Sequence, residues 1–207
     1  MSMRVTEAQN YKEERNSIAY EYISFFEQLG YFIVLIPNNS KNIEQYFNLN
    51  VDLVVLSGGN NINPKLYNND DILEDIYNLR DDIERSLVNL AIQKDIKILG
   101  ICRGFHFINI FFNGSLTHNI KNHVNKKHIL NSNNSILNTK EVNSFHNQAI
   151  LESGLASQLT KLAVTNDDII EAFISQNKNI LGVQWHPERQ EKQFDKKLIN
   201  QFLKGTI

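Results

Sequence analysis

At 207 residues, with 42% hydrophobic and 21% charged residues, the chain has the length and composition of one soluble globular domain, expected to span residues 1–207. A net charge of −2 sets up no overall field toward nucleic acid or an anionic membrane. The single cysteine, Cys102, excludes an internal disulfide, and no apolar run reaches the ~18 residues of a membrane span.

Met1-Ser2-Met3-Arg4-Val5-Thr6-Glu7 has no apolar signal core, so a cytoplasmic protein is expected. Met3 to Thr6 is expected as a short first strand. Ser17 to Leu29 is expected as a helix, with Ile18, Tyr22, Phe25 and Leu29 on one face and Gly30 as its stop. Tyr31 to Ile36 is an apolar strand run closed by Pro37, and Val51 to Leu56 is another that enters Ser57-Gly58-Gly59-Asn60-Asn61-Ile62-Asn63-Pro64. Asp81 precedes a helix to Gln93, and Asp81 with Glu84 has capping-box spacing. Ile96 to Leu99 is a buried strand, and Phe105 to Phe112 is apolar on almost every side, as in a buried helix. Thr117 to Thr139 is polar and is expected as short strands and a loop near a crevice mouth. Lys161 to Thr165 and Ile169 to Ile174 are strands joined by a hairpin turn at Asn166-Asp167-Asp168. Ile180 to Trp185 is a further strand, and Phe194 to Leu203 a closing amphipathic helix.

This order predicts an α/β fold. Its central sheet is mainly parallel and flanked by helices, with a small antiparallel C-terminal part. Ligands in such folds sit outside the carboxyl ends of the strands. Ser57-Gly58-Gly59 and Cys102 both fall at such ends, which directs them to one crevice.

Between the buried strand and the buried helix stands Gly100-Ile101-Cys102-Arg103-Gly104. It is the thiol form of the G-x-S-x-G nucleophile elbow. A nucleophile on a tight strand-to-helix turn brings the flanking backbone close to its neighbours, so the flanking positions must lack a Cβ. The helix N-terminus then turns its free N–H groups toward the sulfur and favours the thiolate. A second group is His186-Pro187-Glu188. In extended chain, residues i and i+2 project to one side, so Glu188 can hold one imidazole nitrogen and leave the other free. A lone buried cysteine is more often a small hydrophobe, and a lone histidine before proline a loop residue. The elbow spacing and the Gly-Gly loop together favour the chemical reading.

The elbow, together with Gly182-Val183-Gln184-Trp185-His186-Pro187-Glu188, resembles class I glutamine amidotransferase domains. Arg103 after the nucleophile, the Ser57 to Pro64 segment and Val142-Asn143-Ser144-Phe145-His146-Asn147-Gln148 resemble their γ-glutamyl hydrolase branch. The resemblance implies a flavodoxin-like sandwich and a Cys102-His186-Glu188 triad. It also implies hydrolysis of a γ-glutamyl amide through a glutamyl thioester. The oxyanion would be held by the backbone N–H groups of Gly59 and Arg103. Asn60, His106, Asn143, Ser144, Phe145 and His146 would contact the glutamyl substrate. Two positions depart from the family: His106 stands where synthetase-type relatives carry glutamine, and Asn113-Gly114 where Gly-Gly is usual.

Within the branch, the chain resembles hydrolases that remove glutamate from γ-glutamyl cytidine diphosphoramidate in capsule biosynthesis. A diphosphate needs cations, and Lys121, His123, Lys126, Lys127 and His128 form a cationic run in the segment expected to border the crevice. Lys126 and Lys127 are therefore expected to read the phosphate side. The alternatives are a γ-glutamyl-γ-aminobutyrate or other γ-glutamyl-amine hydrolase, or a glutaminase subunit delivering ammonia to a separate synthetase. No cofactor and no metal is expected. The expected partner is a small γ-glutamyl molecule, with no nucleic acid, no membrane and no obligatory synthetase.

Overall fold

The computed structural model describes residues 1–190 and 192–207. The chain opens with a hairpin, β1 (Arg4–Glu7) against β2 (Glu14–Ser17), paired from Arg4↔Ser17 to Glu7↔Glu14. Because Ser17 is used in β2, the first helix begins later than its sequence pattern suggests. It is α1 (Tyr20–Gln28), which buries Tyr22, Phe25 and Phe26 and ends before Gly30 in the left-handed region at φ 88°. The apolar run Tyr31 to Ile36 forms no ladder of its own. It is held by Met1 and Ser2: Ile36 N–H donates to Met1 O at 3.0 Å, and Ser2 N–H donates to Val55 O at 2.9 Å. The short α2 (Ile43–Tyr46) leads to β3 (Leu53–Leu56).

Next come α3 (Asn78–Gln93), β4 (Lys97–Ile101) and α4 (Arg103–Phe111). The polar middle supplies β5 (Thr117–His118), β6 (Val124–Ile129), β7 (Glu141–Phe145) and β8 (Gln148–Ala149). β6 pairs with β7 and β5 with β8, both antiparallel. The last third forms β9 (Leu159–Val164), β10 (Ile170–Ser175), β11 (Ile180–Val183) and α5 (Gln193–Leu203).

The central sheet has five strands in the order β3-β4-β11-β10-β9. β4 is parallel to both β3 and β11, while β10 runs antiparallel to β11 and to β9. The antiparallel C-terminal strands thus extend the parallel ones into one mixed sheet. The cause is connection length: β9, β10 and β11 are joined by short turns, and a parallel pair needs a crossover of a dozen residues or more.

Strand side chains alternate between two apolar layers. Val54, Leu56 and Ile98 pack with Leu87, Val88 and Phe105 of α3 and α4. Val55, Leu99 and Ile101 pack on the other side with Phe25 of α1 and with Leu198 and Phe202 of α5. With helices on both faces, β4 at the centre of the parallel half carries its C-terminal end, and Cys102 after it, to the crevice.

The Asp81–Glu84 capping box does not form. α3 starts earlier, at Asn78, so both carboxylates lie inside the helix on its buried side. They serve Arg103 instead.

Candidate active site

Cys102 sits between β4 and α4 with φ 52° and ψ −101°, a conformation a side-chain-bearing residue rarely holds. Close packing forces it. A Cβ on Gly104 would lie 2.2 Å from Leu56 O, and one on Gly100 would lie 2.6 Å from Gly104 O. Any other residue at either position would push α4 off β3 or off β4. Cys102 N–H donates to Val183 O at 2.9 Å, and Cys102 O accepts from His106 N–H at 3.1 Å, which starts the helix. The sulfur is thus fixed at the first turn of α4, where free N–H groups stabilise negative charge.

His186 lies across from it, after β11. Its imidazole is hydrogen-bonded to the Cys102 thiol, and its Nδ1 lies 2.6 Å from Glu188 Oε1. His186 and Glu188 are buried, and Cys102 is half-buried at the cavity. Burial by itself raises a thiol pKa, but the charge and hydrogen bond of His186 outweigh it and hold Cys102 below its ordinary value. Burial by itself lowers an imidazole pKa, but Cys102 and Glu188 raise His186 to about 9. Both shifts favour the thiolate–imidazolium pair over the neutral thiol and imidazole. Gln184 Nε2 also donates toward Cys102 Sγ at 3.7 Å.

Asn143 does not line the cavity. Its side chain accepts from His186 N–H and donates to His186 O, each at 2.8 Å, so it holds the histidine backbone. Ser144 is likewise turned inward, its Oγ donating to His123 O at 2.5 Å.

The loop after β3 faces the sulfur. A Cβ on Gly58 would meet His186 Cε1 at 2.8 Å and Cys102 Cβ at 3.5 Å. Gly58 N–H donates to Tyr22 Oη at 2.9 Å. The tyrosine pKa lies well above its ordinary range because of burial and the nearby Glu188 charge. Beneath the loop lies a buried ionic network that the sequence reading missed. Arg80 donates to Ser57 O at 2.8 Å, to Gly58 O at 3.0 Å and to Gly59 O. It also pairs with Glu84 at 3.1 Å one helical turn on. Glu84 and Asp81 then bind the Arg103 guanidinium. The side chain of Arg103 is thereby anchored away from the crevice, while its backbone N–H stays at the mouth of α4. The available signal was a charged pair on the helix face that otherwise buries Leu87 and Ala91.

Cys102, Arg103, Gly59, Asn60, His106, Phe145, His146 and His186 all border one cavity of about 280 Å³. His106 is buried there, and burial followed by the neighbouring His146 charge lowers its pKa to about 3, so it is neutral. Its Nε2 has no partner among the described residues. Asn60 is committed to the loop, accepting from Val5 N–H at 2.8 Å and donating to Asp75 at 2.8 Å. His146 turns Nδ1 to Gln148 O at 2.8 Å and Nε2 toward Glu171.

Lys126 and Lys127 are not at this cavity. They lie on β6, whose residues face solvent, and Lys127 is 61% exposed and paired with Glu141 at 2.9 Å. β6 and β7 form a two-stranded hairpin that leaves both faces open to solvent at these positions, so Lys126 and Lys127 are exposed on either side of it. The cations that do border the cavity are Arg4 and Arg189, both overlooked in the sequence reading. Arg4 Nε is buried without a partner among the described residues, and the Arg189 guanidinium lies 4.7 Å from the centre of the Phe145 ring. Asn113, where the family usually has glycine, holds φ 66°, which asparagine tolerates at a helix end.

Among the described residues no helix is long and apolar enough to cross a membrane. The chain is 32% identical to a glutamine amidotransferase-like protein, YvdE, of Lactococcus lactis, over 93% of this chain and 91% of that one. It is 30% identical to the γ-glutamyl-CDP-amidate hydrolase of Campylobacter jejuni, over 87% of this chain and 84% of that one. In fold it is similar to a glutamine amidotransferase from Thermotoga maritima, with a TM-score of 0.60, 18% identity and coverage of 90% and 79%. The profile of the Peptidase C26 family matches residues 1–188. This chain, an α/β protein of the glutamine amidotransferase-like type, belongs to the Peptidase C26 family of amide hydrolases.

Proposed function

We propose that the protein hydrolyses the amide bond of a γ-glutamyl amide through a glutamyl thioester on Cys102, releasing L-glutamate. The observation that carries this is Cys102 at the cavity opposite His186, whose Nδ1 lies 2.6 Å from Glu188, with Cys102 lowered and His186 raised in pKa by each other. The Cys102 thiolate attacks the γ-carbonyl carbon. The oxyanion that forms accepts hydrogen bonds from the N–H groups of Gly59 and Arg103. His186 gives its proton to the departing nitrogen, and the C–N bond breaks to leave the thioester and a free amine or phosphoramidate. Neutral His186 then takes a proton from water, the hydroxide adds to the thioester carbon, and the C–S bond breaks. Glutamate leaves, and thiolate and imidazolium are restored.

His106 lines the cavity in the place where synthetase-type relatives use glutamine, and is suited to contact the glutamyl head. For the leaving group we favour a phosphorylated nitrogen, as in γ-glutamyl cytidine diphosphoramidate. The likeness to the γ-glutamyl-CDP-amidate hydrolase of Campylobacter jejuni supports that class, and so do Arg4 and Arg189 at the cavity rim. The reaction as written needs no synthetase.

The test is a panel of γ-glutamyl amides, with phosphorylated and simple amines as leaving groups, assayed for glutamate release by the purified chain alone. Release from at least one of them, lost in Cys102→Ala, is expected. Turnover that appears only when a second protein is added would contradict the reading in favour of ammonia delivery.

A further inference from the structure

Three of the six histidines of the chain converge behind the cavity wall. His123 precedes β6, His128 lies on it, and His146 follows β7. Their ligand atoms lie within 4.8 Å of one another. The carboxylate of Glu171, on β10, closes the group, with Oε1 3.3 Å from His146 Nε2. His123, His146 and Glu171 are buried.

The cluster is underbonded in one direction only. His123 Nδ1, His128 Nε2, His146 Nε2 and both oxygens of Glu171 are buried without a hydrogen-bond partner among the described residues. The outward atoms are satisfied. His123 Nε2 lies 3.0 Å from Asp167 Oδ2, and His146 Nδ1 lies 2.8 Å from Gln148 O. His123, with Nε2 on Asp167, can turn its Nδ1 lone pair inward, and His146 Nε2 faces the Glu171 carboxylate. The buried inner nitrogens of His123 and His128 meet no partner among the described residues, and a cation at the centre supplies one to all three rings. The carboxylate behind His123 and the carbonyl behind His146 are the outer partners that metal-bound histidines usually have.

We infer that His123, His128 and His146, with the Glu171 carboxylate beside His146, form a binding site for one divalent transition-metal ion of the zinc type. Three imidazoles suit a borderline ion that keeps a fourth position for water, and not calcium or magnesium, which take mostly oxygen ligands. Bonds of ~2.0–2.2 Å put tetrahedral ligands roughly 3.4 Å apart, so the rings need to close by about an ångström. The site departs from the sequence-based expectation of no metal. Its place gives its role. Glu171 belongs to the central sheet and the histidines to the β6–β7 hairpin, so the ion ties to the sheet the wall that carries Phe145 and His146. It is distinct from the Cys102 centre and takes no part in the bond-breaking steps above.

The experiment uses the full chain as Cys102→Ala, which removes the competing thiolate and makes the readout independent of turnover. The chelator-stripped protein is titrated with Zn2+ against a chromophoric chelator, and separately with Co2+. One equivalent bound at micromolar affinity or tighter is expected, with a rise in melting temperature. The Co2+ form should have the intense visible bands of a four-coordinate nitrogen and oxygen site. Asp167→Asn should weaken binding by about 10–100-fold, and His123→Ala with His128→Ala should abolish it. Absence of stoichiometric Zn2+ binding, binding unchanged in the double variant, or a weak six-coordinate Co2+ spectrum would overturn the site. If the double variant does not fold, the Co2+ spectrum and Asp167→Asn decide.

Discussion

Asn143 grips the backbone of His186 from both sides, accepting from its N–H and donating to its carbonyl at 2.8 Å each. The residue comes from β7, in the polar middle of the chain, and the histidine follows β11. The clasp therefore fixes the depth at which the imidazole meets Cys102. Asn143→Ala should lower kcat by roughly 10- to 100-fold with little change in KM, because it loosens a positioning group and touches no substrate. Steady-state kinetics on a γ-glutamyl amide check this. A rise in KM at constant kcat would show that Asn143 binds the substrate after all.

The thiolate–imidazolium pair sets the pH profile. Cys102 is held below its ordinary value and His186 is raised to about 9, so the reactive ion pair is favoured between those two limits. The two groups titrate as a coupled pair. kcat/KM should rise as pH passes the lowered thiol pKa and fall as pH climbs through about 9, where the imidazolium loses the proton meant for the leaving nitrogen. Glu188→Gln should shift the alkaline limb down and lower kcat by roughly two to four orders of magnitude. An unchanged alkaline limb in that variant would separate Glu188 from His186.

Arg103 is bound by both Asp81 and Glu84 in the interior. Replacing it with methionine leaves the buried Asp81 without its ion-pair partner and Glu84 with Arg80 alone, which costs about 3–5 kcal/mol. For a chain of this length that corresponds to a melting temperature lowered by roughly 6–20 °C. Arg103→Lys should fall between, since an ammonium cannot serve both carboxylates in the same planar geometry. Calorimetry gives the result directly, and a melting temperature within ~2 °C of the parent would mean the network stabilises little.

The cations split into two sets. Lys126 and Lys127 face solvent on β6, whereas Arg4 and Arg189 border the cavity. Arg4→Ala with Arg189→Ala should lower kcat/KM for a phosphorylated γ-glutamyl substrate by roughly one to three orders of magnitude and leave a simple γ-glutamyl amine much less affected. Lys126→Ala with Lys127→Ala should change neither by more than about twofold, as expected for exposed charges. Equal small losses from both pairs would remove the phosphate side from the substrate.

What the sequence revealed and what it hid follow from range. The elbow was legible because its logic is local: Gly100 and Gly104 answer to atoms a few residues or one strand away. His186 with Glu188 was legible because the two are close in sequence, although the structure joins them through a 3-10 turn, Pro187–Arg189, and not through extended chain. Asn143 was expected to contact substrate, whereas its side chain is spent on the His186 backbone, because only the fold brings β7 against the segment after β11. The Asp81–Glu84 spacing suggested a cap, yet the helix starts three residues earlier and the carboxylates answer to Arg103 far along the chain. Ser17 suggested a helix start, but pairing with Arg4 claimed it for a hairpin. The lysines of β6 drew attention by charge, and their place on an open two-stranded hairpin, invisible in composition, leaves them in solvent.

The central claim is a covalent glutamyl intermediate on Cys102. It is tested most directly by mixing enzyme with a γ-glutamyl amide, quenching in acid within the first turnovers, and locating the adduct by peptide mass spectrometry. A glutamyl group on the peptide carrying Cys102, absent from Cys102→Ala and from enzyme quenched after substrate is exhausted, is the predicted result. Glutamate released by Cys102→Ala at a rate near the parent's, with no adduct in either protein, would contradict it.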